Sequence, residues 1–201
     1  MTRIVAGSRG GRRIDTPAGQ RTRPTSDRVR EALFSSLESL LDLAGCRFAD
    51  LYAGSGAIGL EAASRGAAHV LLVEAEPRSA QVIRRNIIAL DFSAVCRLSP
   101  SRVSAVLAAP PDEPFDIVFA DPPYDTTEDE VGDLLDGLVT RSWLAPDAVV
   151  VVERSSRSPA PRWPEQITPG RSRRYGETLL WYGLRRAEGA TTSADGVTTS
   201  G

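Results

Sequence analysis

This sequence contains no lysine and a single histidine. Of its 201 residues one is histidine, two are cysteine, and all 24 basic residues are arginine. Since a histidine-rich metal centre needs several imidazoles and His69 begins a predicted strand, we expect no metal site. Cys46 and Cys96 lack the spacing of metal ligands and lie at the edges of apolar strands, so we expect buried thiols rather than a disulfide.

The sequence also lacks a membrane span and a secretion signal. No apolar run reaches the ~18 residues that a spanning helix needs, and the Arg-rich N-terminus has no apolar segment. We therefore expect a cytoplasmic protein with no membrane partner. The length suits one α/β domain with appendages. We predict a basic arm at residues 1–22, the main domain at 23–186 and, because no apolar period is present there, a disordered tail at 187–201.

Acidic and basic residues are unevenly distributed along the chain, although the net charge is only −2. Residues 1–30 contain eight arginines and two acids, and residues 154–186 have the same balance. The segment between them contains eight arginines and twenty acids. Two basic ends around an acidic centre predict a polyanion bound at the periphery. The alternative is that both basic segments are ordinary solvated surface.

The stretch around which the chain is organised runs from Asp50 to Gly59 and reads DLYAGSGAIG. Its glycines are spaced G-x-G-x-x-G between an apolar strand and a predicted helix, which is typical of a nucleotide-binding turn. Glycine lets a ligand approach the backbone N–H groups at the helix start. A second strand ends at Glu74, ~20 residues on, where an acid can bind ribose hydroxyls. A glycine-rich turn without a ligand is the alternative.

A second motif, Asp121-Pro122-Pro123-Tyr124, follows another apolar strand. Its two prolines remove two N–H donors and keep their carbonyls, so the loop is a rigid acceptor surface that suits an incoming NH₂ group. Tyr124 can stack on a planar base once that base has left its own stack. The alternative is a turn that begins with Asp and is stiffened by proline.

Strands and helices alternate along most of the chain, which predicts a parallel sheet. The short link at Gly176-Glu177 instead predicts an antiparallel hairpin that closes the sheet. Residues 3–20 predict a small basic hairpin with little core. The predicted strands are 48–52, 70–73, 94–98, 115–120, 148–152, 171–175 and 178–184. The predicted helices are about 26–41, 58–65, 78–90, 102–108 and 127–139.

The glycine stretch, Glu74 and the Asp121 motif resemble those of class I S-adenosylmethionine-dependent methyltransferases that act on amino nitrogens. Arg23-Pro24-Thr25, the basic hairpin and Arg174-Tyr175-Gly176-Glu177-Thr178 are similar to the bacterial 16S rRNA guanine-N2 methyltransferases of the RsmD type. The resemblance extends over nearly the whole chain to Arg186. It implies a Rossmann-like α/β fold with a mostly parallel seven-stranded sheet, a C-terminal antiparallel hairpin and a small N-terminal β-hairpin arm.

By this resemblance the glycine loop holds the methionine part of S-adenosylmethionine, Glu74 binds its ribose hydroxyls, and Asp121 with the Pro122 carbonyl holds the target amine. The implied catalytic residues are Asp121, Pro122, Pro123 and Tyr124. The implied cofactor-binding residues are Arg23, Thr25, Asp50, Tyr52, Ala53, Gly54, Ser55, Gly56, Gly59, Glu74, Ala75 and Ser101. The implied RNA-binding residues are Arg3, Arg9, Arg12, Arg13, Arg173 and Arg174.

One position departs from the family pattern. Many relatives have Asp or Asn just after the third strand, where it contacts the adenine amino group, whereas this chain has only Ser99, Ser101 and Arg102.

The resemblance implies methylation of N2 of guanine 966 in 16S rRNA. We expect a monomer that acts on the rRNA, free or within the assembling 30S subunit. One alternative is a DNA adenine-N6 methyltransferase, which shares both motifs but usually has a separate target-recognition domain. A non-catalytic RNA-binding module is the second alternative. A nicotinamide-dependent oxidoreductase would share the glycine loop and leave the Asp121 motif unexplained.

Overall fold

A mostly parallel sheet carries the helices of this chain on both of its faces. The computed structural model describes residues 2–17 and 27–186. The predicted cofactor residues Arg23 and Thr25 and the predicted tail at 187–201 lie outside the described residues. The strands are β1 Thr2–Arg3, β2 Arg13–Ile14, β3 Arg47–Leu51, β4 His69–Val73, β5 Cys96–Ser99, β6 Phe115–Ala120, β7 Leu144–Ser155, β8 Ile167–Tyr175 and β9 Thr178–Arg185. The helices are α1 Asp27–Glu38, α2 Ala57–Ser64, α3 Pro77–Ala89, α4 Val103–Val106 and α5 Glu128–Thr140, with a short 3-10 helix at Gly7–Arg9.

The main sheet has seven strands in the order β5-β4-β3-β6-β7-β9-β8. Its first five strands are parallel, and β9 pairs antiparallel with both β7 and β8. β1 and β2 form a separate two-stranded antiparallel sheet. The predicted fold class is therefore confirmed. The chain order reverses between β3 and β6, and ligands of open α/β sheets bind outside the carboxyl ends of the strands at such a point.

Two apolar clusters lie on opposite faces of the sheet. Helices α1, α2 and α3 pack on one face, and α4 and α5 pack on the other. In β7, Val149 and Val151 belong to the first cluster, whereas Val150 and Val152 belong to the second. Because side chains alternate along a strand and both faces are covered, this strand reads as an unbroken apolar run.

Element boundaries differ from the prediction at a few positions. α1 ends at Glu38 instead of continuing to residue 41, and Leu40 is 41% exposed. The buried apolar residues of α1 are Val29, Leu33, Phe34 and Leu37. α4 is a single turn that ends at Val106, shortly before Pro110, and proline cannot continue a helix. β7 and β8 are both longer than predicted.

The N-terminal hairpin is confirmed, but the expectation that it has little core is wrong. Ile4 is fully buried and Ile14 is 4% exposed, and both belong to the cluster under α1, α2 and α3. The backbone N–H groups of Val5 and Ala6 donate to the two carboxylate oxygens of Glu61, at 2.7 and 2.9 Å. Two apolar side chains on the same face of a hairpin therefore suffice to anchor it to the domain.

A buried ion pair joins that arm to α1 and α2. Arg30 and Glu61 are both fully buried, and the Arg30 Nε lies 3.6 Å from a Glu61 carboxylate oxygen. Arg30 also donates to the backbone carbonyl of Arg3. Burial lowers the pKa of the Arg30 guanidinium, while Glu61 and Asp27 oppose that shift. Removing one partner of such a pair leaves an uncompensated buried charge, so this contact holds the arm in a single position.

The two cysteines are free and buried, which confirms that prediction. Burial raises the pKa of both thiols to about 12, with Asp116 and Asp42 also acting on Cys46. Both are therefore protonated and unreactive at neutral pH. Over residues 2–17 and 27–186, no helix has the length and apolar character to cross a membrane.

Candidate active site

A cleft of about 1420 Å³ opens at the carboxyl ends of β3, β4, β6 and β7. It is bordered by the glycine loop after β3, the loop after β6 and the tip of the β8–β9 hairpin. The chain order reverses at this edge of the sheet, so the polar side chains that follow several strands lie close together in the cleft. The cleft is larger than a typical small-molecule pocket of roughly 300–1,000 Å³, and it therefore has room for two ligands.

The glycine loop turns sharply because several of its residues adopt positive φ. Tyr52, Gly54 and Gly56 have φ values of 71°, 57° and 82°. The turn is held by two backbone hydrogen bonds, from Ala53 N to Val73 O at 2.8 Å and from Gly56 N to Ala53 O at 2.7 Å. A Cβ on Gly59 would lie 2.9 Å from Leu72 Cδ2, so this glycine allows α2 to pack closely on β4.

Asp50 stabilises the start of α2 from within the sheet. Its side chain is 1% exposed, and its Oδ2 accepts a hydrogen bond from Gly59 N at 2.8 Å. Burial raises the pKa of the Asp50 carboxyl to about 7, since it outweighs the opposing hydrogen bond from Gly59, and nearby Glu74 raises it further. Asp50 borders the cleft. Its hydrogen bond to Gly59 makes it a support of the glycine loop.

Glu74 connects the glycine loop to the loop after β4. One of its carboxylate oxygens accepts from Gly54 N at 2.8 Å, and the other accepts from Glu76 N at 2.7 Å. These bonds fix the carboxylate at the edge of the cleft. An ionised carboxylate has about four acceptor sites, so two remain for the paired hydroxyls of a ribose.

Asp121 comes directly after β6, and Glu153 lies beside it near the end of β7. The register pairs Ala120 with Val152, so the next residues of these two parallel strands are neighbours. Asp121 is an exposed residue at the cleft, but protein atoms surround its carboxyl and remove part of its water. This desolvation raises its pKa well above the ordinary value, the charges of Glu153 and Asp50 raise it further, and Arg154 lowers it.

The loop that follows Asp121 is held in place by hydrogen bonds from Arg154. This buried guanidinium donates to Thr126 O at 3.0 Å and to a carboxylate oxygen of Glu128 at 2.7 Å. Pro122 is buried, whereas Tyr124 is 82% exposed and its ring stands at the cleft mouth. The loop therefore presents a fixed backbone and an aromatic ring that is free to stack on a base.

Most of the predicted cofactor and catalytic residues are brought together. Those that line the cleft are Asp50, Tyr52, Ala53, Gly54, Ser55, Glu74, Ala75, Ser101, Asp121, Pro122, Pro123 and Tyr124. Gly56 and Gly59 do not line it, because they shape the turn behind it. Near the departure from the family pattern, Ser101 and Arg102 border the cleft, opposite Leu134 of α5.

Several residues at the cleft are not among the predicted site residues. Glu153 has the same signal as Asp121, an acid directly after a predicted apolar strand (148–152), so the sequence pattern could have identified it. Thr16 and Pro17 line the cleft because the arm leads into it. Tyr175 and Thr178 flank the hairpin tip and line the cleft from the other side.

The predicted RNA-binding arginines are divided between two surfaces on either side of the cleft. On the arm, Arg9 Nε donates to Leu90 O at 2.8 Å, and Arg12 donates to Ala89 O at 3.2 Å. Both side chains therefore contact the C-terminal end of α3, where carbonyls lack helical partners. Arg13 is exposed. On the hairpin, Arg173 and Arg174 are exposed and precede the tip that borders the cleft.

Comparison with known proteins identifies the family. The family described as conserved hypothetical protein 95 matches residues 2–183. The chain is 34% identical over 187 residues to ribosomal RNA small subunit methyltransferase D of Escherichia coli strain K12. The aligned region covers 93% of this chain and 91% of the relative. The solved structure of yhhF from Escherichia coli has a TM-score of 0.81 at 33% identity, over 93% of this chain and 99% of that one.

A more distant neighbour shows the same fold with a ligand. The RNA methyltransferase from Salinibacter ruber, solved in complex with S-adenosyl-L-homocysteine, has a TM-score of 0.62 at 17% identity. The superposition covers 82% of this chain and 95% of the Salinibacter ruber chain. The expected S-adenosylmethionine-dependent class I fold is confirmed, and this chain belongs to the conserved hypothetical protein 95 family, that of the RsmD type.

Proposed function

We propose that this protein transfers a methyl group from S-adenosylmethionine to the exocyclic N2 of a guanine in 16S rRNA, guanine 966 by the family resemblance. The observation that carries the proposal is the meeting of two motifs at one cleft. The glycine loop follows β3 and Asp121 follows β6, and these strands are neighbours in the sheet. The name of the Escherichia coli relative supports rRNA of the small subunit as the substrate.

The residues of the first half of the cleft fit the cofactor. The backbone of Gly54 and Ser55 borders the place for its methionine part, and Glu74 offers two acceptor sites to its ribose. When bound, S-adenosylmethionine supplies an electrophilic methyl group on a positively charged sulfur. The carboxylates of Glu74 and Asp121 make the surroundings of that charge favourable. The complex of the Salinibacter ruber neighbour with S-adenosyl-L-homocysteine supports this assignment.

The residues of the second half of the cleft fit an amino group on a planar base. Guanine N2 is a poor nucleophile because its lone pair is delocalised into the ring, so catalysis must come from positioning and from acceptors for its hydrogens. Asp121 and the Pro122 carbonyl hold the amine, and Tyr124 stacks on the base. As the N–C bond forms and the C–S bond breaks, N2 becomes acidic, and its proton passes to the Asp121 carboxylate.

The experiment is methyl transfer from labelled S-adenosylmethionine to small-subunit rRNA, tested on naked rRNA and on 30S particles. We expect N2-methylguanine in the nucleoside digest, and Asp121→Ala should lower the transfer rate by ~10²–10⁴-fold. Asp125→Ala, a nearby exposed acid that does not line the cleft, is the matched control and should keep the rate.

Other outcomes identify the alternatives. Methylation of unmodified DNA at adenine N6 would replace the proposed function with that of a DNA methyltransferase. RNA binding without S-adenosylmethionine binding in calorimetry would indicate a non-catalytic module. Sedimentation of the free protein tests the expected monomer.

A further inference from the structure

Glu153 lies beside Asp121 and has no role in the function proposed above. The two residues follow the register pair Ala120 and Val152 on adjacent parallel strands. Neighbouring strands are separated by roughly 4.8 Å, so the side chains of Asp121 and Glu153 begin about one strand spacing apart. Both lie on the face that also carries Phe119 and Val151, because each is two residues further along its strand.

The Glu153 side chain is enclosed, yet it reaches the cleft. It is 9% exposed and borders the main cleft together with Asp121. A smaller cavity of about 30 Å³, in which Asp121, Tyr124, Glu153 and Thr178 take part, adjoins the same place. Glu153 is thus at the inner end of the site where Asp121 and Tyr124 are expected to hold a base.

The neighbouring Arg154 holds the loop after Asp121 and also borders the smaller cavity. Arg154 follows Glu153 in the strand and therefore points away from it, toward Thr126 and Glu128. The two carboxylates interact electrostatically, because the charge of Glu153 raises the pKa of Asp121. Two acids placed side by side in a half-closed pocket favour a ligand that presents hydrogen-bond donors on neighbouring atoms.

The Watson–Crick edge of guanine presents such neighbouring donors, N1–H beside the N2 amino group. Adenine differs, since its N6 amino group lies beside N1, which is an unprotonated acceptor. Given the proposed function, on which this inference rests, we propose that Glu153 accepts a hydrogen bond from N1–H of the target guanine while Asp121 accepts from N2. Glu153 then determines specificity for guanine, because its carboxylate faces an N–H in guanine and a lone pair in adenine.

The test compares two bases at the methylated position of the RNA. 2-Aminopurine keeps the 2-amino group of guanine, but its N1 carries no hydrogen. Wild-type protein should transfer methyl to 2-aminopurine at least ~10-fold more slowly than to guanine, since a site built to bond an N–H rejects an analogue that lacks it. Equal rates on the two bases would overturn the inference without the need for any variant.

The variant Glu153→Gln adds a second readout, because its amide can donate to the unprotonated N1. We expect the rate on guanine to fall by ~10-fold or more and the rate on 2-aminopurine to stay the same or rise, so the ratio of the two rates shrinks. A purely structural role would slow both bases by the same factor, and that result would overturn the inference. Glu165→Gln, an exposed acid outside the cleft, is the control and should leave the ratio unchanged.

Different experimental outcomes would contradict the role of Glu153 and the proposed methylation of guanine N2. If wild-type protein forms N2-methylguanine but Glu153→Gln leaves the ratio of rates unchanged, only the role of Glu153 is wrong. If wild-type protein methylates adenine N6 instead, both are wrong. Calorimetry with S-adenosylmethionine on Glu153→Gln should give wild-type affinity, since the inference places this side chain at the base.

Discussion

At the scale of single residues, position decides how each carboxyl group behaves. Asp50, Glu74 and Asp121 all lie at strand ends along one edge, but they have different environments. Asp50 is buried and bonded to Gly59, Glu74 holds two backbone N–H groups, and Asp121 faces the cleft. These contacts support three different roles: support of the loop for Asp50, and the proposed cofactor binding and proton acceptance for Glu74 and Asp121.

The pH dependence of methyl transfer should report the environment of Asp121. Its pKa is raised by burial, then by Glu153 and Asp50, and is lowered by Arg154. Because the ionised carboxylate accepts the amine hydrogens, the rate should fall as pH decreases through this raised pKa. Glu153→Gln removes a neighbouring negative charge, which lowers the pKa of Asp121 and moves the acidic limb to lower pH.

The measurement is the single-turnover rate as a function of pH, for wild-type protein and for Glu153→Gln. Glu165→Gln removes a charge far from Asp121 and should leave the profile in place. An acidic limb that stays at the same pH in Glu153→Gln would show that Asp121 and Glu153 do not interact in the active protein.

Replacement of Glu74 should weaken cofactor binding. Glu74→Ala would remove the two proposed ribose contacts and release Gly54 N and Glu76 N, so we expect a loss of ~2–4 kcal/mol, or ~30–1,000-fold in Kd. Titration calorimetry with S-adenosylmethionine measures it, and NAD is the control ligand that should not bind. Unchanged affinity would remove Glu74 from the cofactor site.

At the scale of elements, the N-terminal arm is joined to the glycine loop by one side chain. Asn86 of α3 donates to both Asp15 O and Ser55 O at 3.0 Å, and its Oδ1 accepts from Asp15 N at 2.8 Å. The side chain is 3% exposed. The arm therefore contributes to the geometry of the cofactor loop. Removal of the arm should therefore weaken cofactor binding.

Asn86→Ala should lower both stability and cofactor affinity. It leaves Asp15 N, Asp15 O and Ser55 O without this partner, and because Asp15 is exposed and Ser55 half-buried, water can replace part of the lost bonding, so we expect a total cost of about 1–3 kcal/mol. The midpoint of thermal unfolding and the Kd for S-adenosylmethionine measure the two effects. Arg85→Ala is the control on the preceding residue, because its ion pair with Asp15 is exposed and worth little. A variant that binds as wild type would show that the loop is independent of the arm.

The sequence predicts some of these elements better than others, for physical reasons. The order of strands and helices follows from periodicity, and the cleft from glycine spacing and from acids at strand ends. The docking of the arm is not predictable in this way, because Glu61 and Asn86 are ~55 and ~70 residues from their partners, and nothing local marks them. Both look like ordinary polar residues within helices.

At the scale of the whole molecule, charge and topology together define how RNA can approach. The arm lies against α2 and α3, and the β8–β9 hairpin lies at the opposite end of the sheet. The cleft opens between them. Because Arg9 and Arg12 contact the end of α3, whereas Arg173 and Arg174 are exposed and Arg174 donates to Gly176 O of its own hairpin, we expect the hairpin arginines to contribute more phosphate contacts than the arm does.

The salt dependence of rRNA binding tests this expectation. The variant in which Arg173→Ala and Arg174→Ala are combined should weaken binding and reduce the slope of log affinity against log salt by ~1–2, since about 0.7–0.9 counterions are released per phosphate contact. The control is Arg186→Ala. Residue 186 follows the end of β9 that pairs with the start of β7, so it lies at the edge of the sheet opposite the cleft. Cofactor affinity should be unchanged in both variants. A slope equal to that of wild type would mean that the hairpin arginines are solvated surface, and the phosphate contacts would then belong to Arg13 and the rest of the arm.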